Sequence, residues 1–321
     1  MISVTICTYN RASRLKEALK SLAAMSVPAD LRWELIVIDN NSKDDTRAVV
    51  EDLAKTSGLP VKYIFEANQG LCHARNAGIK AARGEIIAFT DDDVTVDSYW
   101  LGHLKHIFDQ FDCIGVAGKI VPVWTCKKPP WLESDGPTPL MSGVILSFDL
   151  GEELRDINTP SFGANMAFRK IAFEKYGLFR TDLDRSGNSL LSGGDTEFGR
   201  RLLQGQERLI YVPQAIIYHP VEQHRIEKRY FQSWYFGYGR SSMRRTGISA
   251  NAARCFGIPT YLFRSLLANF LHWVFTLSSQ RRFYYKLELY RVAGEITESL
   301  SMARQGKEDT SCVSPRESGG H

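Results

Sequence analysis

The chain has 321 residues, 44% of them hydrophobic, which is enough for a sizeable core and excludes a disordered or fibrous protein. Its six cysteines (Cys7, Cys72, Cys113, Cys126, Cys255 and Cys312) form no CxxC pair and have no companion histidine at zinc-ligand spacing. Neither a disulfide framework nor a zinc site is expected, a reducing cytoplasmic setting is, and a net charge of +4 selects no partner by itself.

Residues 1–8 are a short apolar run that meets Tyr9, Asn10 and Arg11 without a charged leader or cleavage site, so no secretory signal is expected. Short β-branched runs at 2–8, 33–39, 61–65 and 85–90 have the pattern of strands buried on both faces. Helix-like stretches fall between them at 11–24, 44–56 and 70–82. This alternation predicts an α/β fold: an open, mostly parallel sheet with right-handed crossovers, flanked by helices. Sheets of that kind bind ligands beyond the carboxyl ends of their strands. The polar clusters Thr8-Tyr9-Asn10-Arg11, Asp39-Asn40-Asn41-Ser42 and Asp91-Asp92-Asp93 each close a strand. After Pro122 the pattern loosens into a Trp- and Pro-rich loop over 124–139, and a second ordered stretch follows over 161–220. Residues 225–305 read as helices rich in aromatics, and a polar tail over 306–321 is expected to be disordered.

Three consecutive carboxylates repel one another, so a site that gathers them gains something in return, most simply a divalent cation. A hard cation held by few carboxylates and completed by phosphate oxygens is the usual Mg2+ or Mn2+ arrangement. The triplet is equally readable as a solvated acidic turn ahead of the helix that starts near Ser98. Gly70 opens another helix, whose free N–H groups and Arg75 suit an anion, although a plain amphipathic helix with Arg75 in solvent has the same pattern. The absence of GxGxxG and GKS/GKT sequences removes support from dinucleotide and ATP-loop readings.

Taken in order, the segments 4–11, 37–42, 68–84, 89–93, 163–169 and 193–202 resemble the family 2 glycosyltransferases of the GT-A fold, of the bacterial polysaccharide-synthesis kind. The likeness covers residues 1–225. It implies inverting, metal-dependent transfer of a sugar from a nucleoside-diphosphate donor, a UDP-sugar by expectation, to a hydroxyl of a glycan or lipid-linked glycan. On that resemblance Thr8, Tyr9, Asn10, Arg11 and Asp39 hold the nucleotide, with Asp39 accepting from a uracil N3–H. Asp91, Asp92 and Arg75 belong to the donor site, Asp93 and Asp91 ligate Mn2+ or Mg2+, and His219 stands where some relatives complete the metal shell. The family's Glu-Asp pair at a helix start matches Gly194-Asp195, so the Glu is missing and Asp195 is the base, with Glu197 one helical step further on. Asn40 replaces an acidic residue frequent in the family, and Asp184-Arg185 corresponds to an acceptor-side loop.

Between Arg225 and Arg291 twelve Lys and Arg residues face only Glu227 and Glu288. The apolar run 258–277 is broken by Pro259, Arg264, Asn269 and His272, a poor membrane span. Its flanking arginines and aromatics read as an interfacial element on an anionic membrane surface, at the cytoplasmic face, where a lipid-linked acceptor is presented to Asp195. A helical appendage packed on the catalytic domain is the alternative. The expected divisions are therefore a catalytic domain over 1–224, a basic helical region over 225–305 and the tail. No nucleic-acid module is recognisable, so no such partner is expected. A nucleotidyltransferase needs a triphosphate-binding loop that residues 8–14 lack, and a non-catalytic binding module would have lost the carboxylates that Asp91, Asp93 and Asp195 retain.

Overall fold

The computed structural model describes residues 1–132, 143–185, 187, 189–249 and 251–311, which form two compact units divided after Glu227. In chain order the first unit begins β1 (Ile2–Thr8), α1 (Ala12–Ala23), β2 (Trp33–Asp39), α2 (Thr46–Thr56), β3 (Val61–Phe65), α3 (Leu71–Ala81) and β4 (Ile86–Asp91). It continues with β5 (Thr95–Val96), α4 (Trp100–Gln110), β6 (Gly115–Trp124), β7 (Arg155–Ile157), β8 (Asn165–Arg169), α5 (Ile171–Tyr176), α6 (Gly194–Gln204) and β9 (Leu209–Val221). Of the loop expected over 124–139, Pro130–Leu132 is a single 3-10 turn and 133–139 lies outside the described residues.

These strands make one mixed sheet in the order β3-β2-β1-β4-β8-β6-β9-β5, with β7 pairing β9. The runs Ile2, Val4 and Ile6, Leu35 to Ile38 and Ile87 to Phe89 are buried because α1, α2 and α3 cross over the sheet and leave neither face to solvent. β1 runs parallel to β2 on one side and β4 on the other, so the chain reverses its direction of travel across the sheet at β1. A switch point of this kind opens a crevice at the strand ends. Phe89, Phe168, Phe173, Phe179 and Phe198 pack edge-on and stacked beneath the half of the sheet that carries β8 and α6.

Asn165 ties the antiparallel half together. Its amide donates to the carbonyls of Lys119 (2.9 Å) and Ala215 (2.8 Å), and its oxygen accepts from Trp100 Nε1 at 2.9 Å. The pairing of β6 with β9 slips between Gly118 and Lys119, where a Cβ on Gly118 would overlap the Asn165 amide. Beyond the slip, Tyr218 of β9, next to His219, pairs with Thr95 of β5.

The second unit contains α7 (Lys228–Thr246), a short hairpin of β10 (Arg254–Cys255) and β11 (Ile258–Pro259), α8 (Thr260–Phe275) and α9 (Ser279–Ser311). α7 and α9 pack closely at two glycines: a Cβ on Gly239 would overlap the Arg291 carbonyl, and one on Gly294 the Phe236 carbonyl. The segment expected to be disordered from residue 306 is helical as far as Ser311, and 312–321 lies outside the described residues.

Candidate active site

Strands β1, β2 and β4 end level with one another, Thr8 opposite Asp39 and Cys7 opposite Asp91. That register brings the loop after β1 onto the acidic triplet. Thr8 Oγ1 donates to Asp92 Oδ2 at 2.7 Å, and Arg11 Nη1 donates to Asp92 Oδ1 at 3.2 Å and Asp93 Oδ2 at 3.3 Å. Asn10, in the left-handed region at φ 51°, is held by Ser42 Oγ and by the Lys43 N–H, while Tyr9 is exposed. Asp39 is buried, its Oδ1 accepting from the Ser42 N–H at 2.8 Å and its Oδ2 from the Tyr63 hydroxyl at 2.7 Å. Burial and the Asp39 carboxylate raise the Tyr63 phenol above its ordinary range.

Asp91, Asp93 and His219 each offer one ligand atom, and the three atoms lie within 4.8 Å of one another. His219 Nε2 is 3.5 Å from Asp93 Oδ1, and Arg225 Nη2, on the 3-10 turn Gln223–Ile226 after β9, is 3.5 Å from Asp93 Oδ2. Burial pulls His219 down to about 4 against the pull of Asp93, which leaves a neutral imidazole at neutral pH. Burial and the neighbouring Asp93 raise Asp91, and they push Asp92 up to about 6. At Asp93 burial opposes ionisation, but His219, Arg225 and Arg11 outweigh it and hold the carboxyl below the usual range. Two carboxylates and a neutral imidazole are a donor set that fits a Mn2+ or Mg2+ ion with phosphate oxygens completing its shell.

Asp195 lies in the first turn of α6, not at its cap: the capping residue is Gly193, at φ 112°. Asp195 Oδ2 accepts from the Gly163 N–H at 2.6 Å and Oδ1 from the Thr196 N–H at 2.6 Å. Glu197 pairs with Arg201 along the helix, 2.9 Å away. A Cβ on Gly194 would overlap Cys72 Sγ and lie 3.0 Å from Asp184 Oδ2, so the space for a side chain at 194 is already filled.

Arg75 is buried, and its Nη1 donates to Asp184 Oδ2 at 3.0 Å across a sequence separation of 109 residues. Asp184, expected on an acceptor-side loop, is thus a buried partner of Arg75, while the following Arg185 accepts from the Leu71 N–H. Arg225 was counted with the basic carboxyl-terminal region, but it faces Asp93 within the first unit. Sequence reasoning missed both pairings because neither partner lies within a helical turn of the other. The one available cue to Arg225 was its place in the turn just after His219.

The class these features define is the glycosyltransferases of the GT-A fold, in which an open sheet presents acidic groups beyond its strand ends. The sequence model described as Glycosyl transferase family 2 matches residues 3–177, and the chain belongs to that family. A glucosyl-dolichyl phosphate glucuronosyltransferase of Haloferax volcanii is 27% identical over 252 residues, covering 75% of this chain and 77% of that protein. The succinoglycan biosynthesis protein ExoM of Rhizobium meliloti is 29% identical over 238 residues, covering 72% of each. Among solved structures, a mannosyltransferase from Pyrobaculum calidifontis in complex with GDP-mannose and Mn2+ superposes with a TM-score of 0.61 at 18% identity, covering 92% of this chain and 86% of that one. The last likeness speaks to the fold.

Proposed function

We propose that this glycosyltransferase moves a sugar from a nucleoside-diphosphate donor to an acceptor hydroxyl, with inversion at the anomeric carbon, in the assembly of a polysaccharide or lipid-linked glycan. The observation that carries this reading is the convergence of Asp91, Asp93 and His219 at the switch point of the sheet. A cation bound there supplies charge compensation for the departing diphosphate. The acceptor oxygen bonds to the anomeric carbon as the bond to the diphosphate oxygen breaks, and the nucleoside diphosphate leaves with the electron pair. Asp195, its carboxylate held by two backbone N–H groups, takes the acceptor proton. Thr8, Tyr9, Asn10, Arg11 and Asp39 frame the donor side, where a buried carboxylate suits the N3–H of a uridine base.

The names of the Haloferax and Rhizobium relatives support a glycan or lipid-phosphate acceptor. Because the solved mannosyltransferase holds GDP-mannose and Mn2+, the donor base is a point to test. The same proposal takes the second unit to an anionic membrane surface on the cytoplasmic side. Among the described residues no helix is long and apolar enough to cross a membrane, and α8 exposes Leu267, Phe270, Phe275 and other apolar side chains.

A thermal-shift panel of UDP, GDP and their sugars with Mn2+, Mg2+ or chelator tests the donor site, since a ligand of the native state raises Tm. The uridine nucleotides are expected to raise Tm only with the cation present. Equal shifts in excess chelator would contradict the metal role. NMR of the product reads its anomeric configuration, and retention of the donor's would contradict inversion.

A further inference from the structure

Arg75 is buried, not in solvent as a plain amphipathic helix would place it. The guanidinium is 4% exposed, Nη1 is taken by Asp184, and a Cβ on Gly163 would overlap Nη2 while lying 3.1 Å from Asp195 Oδ2. Arginine and base carboxylate thus flank the same α-carbon, whose own N–H donates to that carboxylate oxygen. Only glycine at 163 lets both groups come so close.

We propose that Arg75 is a positioning residue for Asp195: paired with Asp184 and packed on Gly163, it sets a fixed positive charge beside the base carboxylate and keeps it in place, and it does not bind the donor phosphates. A buried positive charge near a carboxylate favours its charged form, and a buried like charge opposes it. The charged and titratable groups that interact with Asp195 are Arg75 and Cys72 on α3 and Asp184 ahead of α6, with Glu197 on its own helix; Asp91 acts on Arg75 and Arg185 on Asp184. Arg75 brings a positive charge to this corner and Asp184 a negative one. Burial pulls Arg75 toward neutrality, but Asp184 and then Asp195 outweigh it and keep the guanidinium charged. Asp184 is itself raised, by burial first, so it can take up a proton when its partner is removed.

The inference rests on Asp195 as the base, and the two can fail separately. Acid limbs of kcat/KM against pH would be measured for Arg75→Gln, Arg75→Lys and Asp184→Asn, with calorimetric affinity for UDP and GDP in Mn2+. In Arg75→Gln the limb moves up, by about one pH unit; in Asp184→Asn it moves down; Arg75→Lys stays near the unmodified enzyme. Nucleotide affinity is unchanged in all three. A packing defect alone would lower kcat without moving the limbs in opposite directions. Where turnover is too slow, the carboxyl 13C resonance of Asp195, assigned against Asp195→Asn, gives the same titration. Limbs and resonances that do not move, or a fall in nucleotide affinity with the limb unmoved, overturn the role of Arg75. Full turnover in Asp195→Asn instead removes the base assignment itself.

Discussion

Asn40 donates from its amide nitrogen to the carbonyls of Glu66 and Asn68, and its oxygen accepts from the Gly70 N–H and Gln69 Nε2. These bonds tie the end of β2 to the turn that starts α3. A carboxylate keeps the two acceptances but sets a negative oxygen against two carbonyls. Asn40→Asp, which restores the residue common in relatives, is therefore expected to cost about 1–3 kcal/mol, read as a lower denaturant midpoint at constant slope. An unchanged midpoint would show that the turn re-pairs. At the acidic cluster, one carboxylate serves two cations and an imidazole: Asp93 meets Arg225 and Arg11 as well as the neutral His219. Asp93→Asn keeps the shape and removes the charge, so Mn2+ affinity measured by electron paramagnetic resonance should fall roughly tenfold or more. Wild-type affinity in that variant would exclude Asp93 from the ion's ligands.

Element by element, legibility followed the range of the interactions. β1, β2, β4 and α1 to α3 read directly from sequence because the β-branched runs of those strands are buried on both faces and the helices between them are amphipathic. β3, expected to be buried in the same way, is instead the edge strand and leaves Lys62 and Phe65 exposed. β6 contains Gly115, Gly118 and Pro122, which break any period, and its bulge is made by Asn165 and Ala215 from other strands. The site divides the same way. Thr8, Asp39 and Asp91 fall where strands end, which sequence shows, whereas the partners of Arg75 and Arg225 come from distant turns, which it does not. The start of α6 adds a case in which the departure from the family has a steric reason: Cys72 and Asp184 fill the space beside Gly194. Gly194→Glu, although it recreates the family's acidic pair, should overpack this corner and add a like charge beside Asp184. A loss of about 1–3 kcal/mol and lower turnover are expected. Equal activity with an unchanged melting temperature would mean that Cys72 and Asp184 move aside freely.

For the molecule as a whole, charge counted along the chain differs from charge counted in space. Arg240 and Arg244 both pair with Glu298, and Arg291 pairs with Glu288 and Glu295. Glu295 and Glu298 lie just past Arg291, outside the stretch in which twelve basic residues were set against two acidic ones. Part of the apparent excess, that of Arg240, Arg244 and Arg291, is therefore neutralised within the second unit. Its apolar surface is not: α8 buries Leu262, while Phe263, Leu267, Phe270, Leu271, Val274 and Phe275 are exposed. Each Lys or Arg near an anionic surface adds about 1 kcal/mol and is screened by salt, whereas burying a Leu or Phe side chain adds about 1.5–3 kcal/mol and is not. Apolar insertion should thus outweigh charge in membrane attachment. In sedimentation with liposomes the full chain is expected to pellet with anionic vesicles and, to a lesser extent, with neutral ones. High salt should release only the difference between the two. Leu267→Glu with Phe270→Glu should reduce pelleting with both, at an unchanged melting temperature because both side chains are exposed; Arg281→Gln with Arg282→Gln should remove only the salt-sensitive part. A protein that stays in the supernatant with both kinds of vesicle would leave α8 to another occupant, such as a second copy of the chain, and would end the membrane reading.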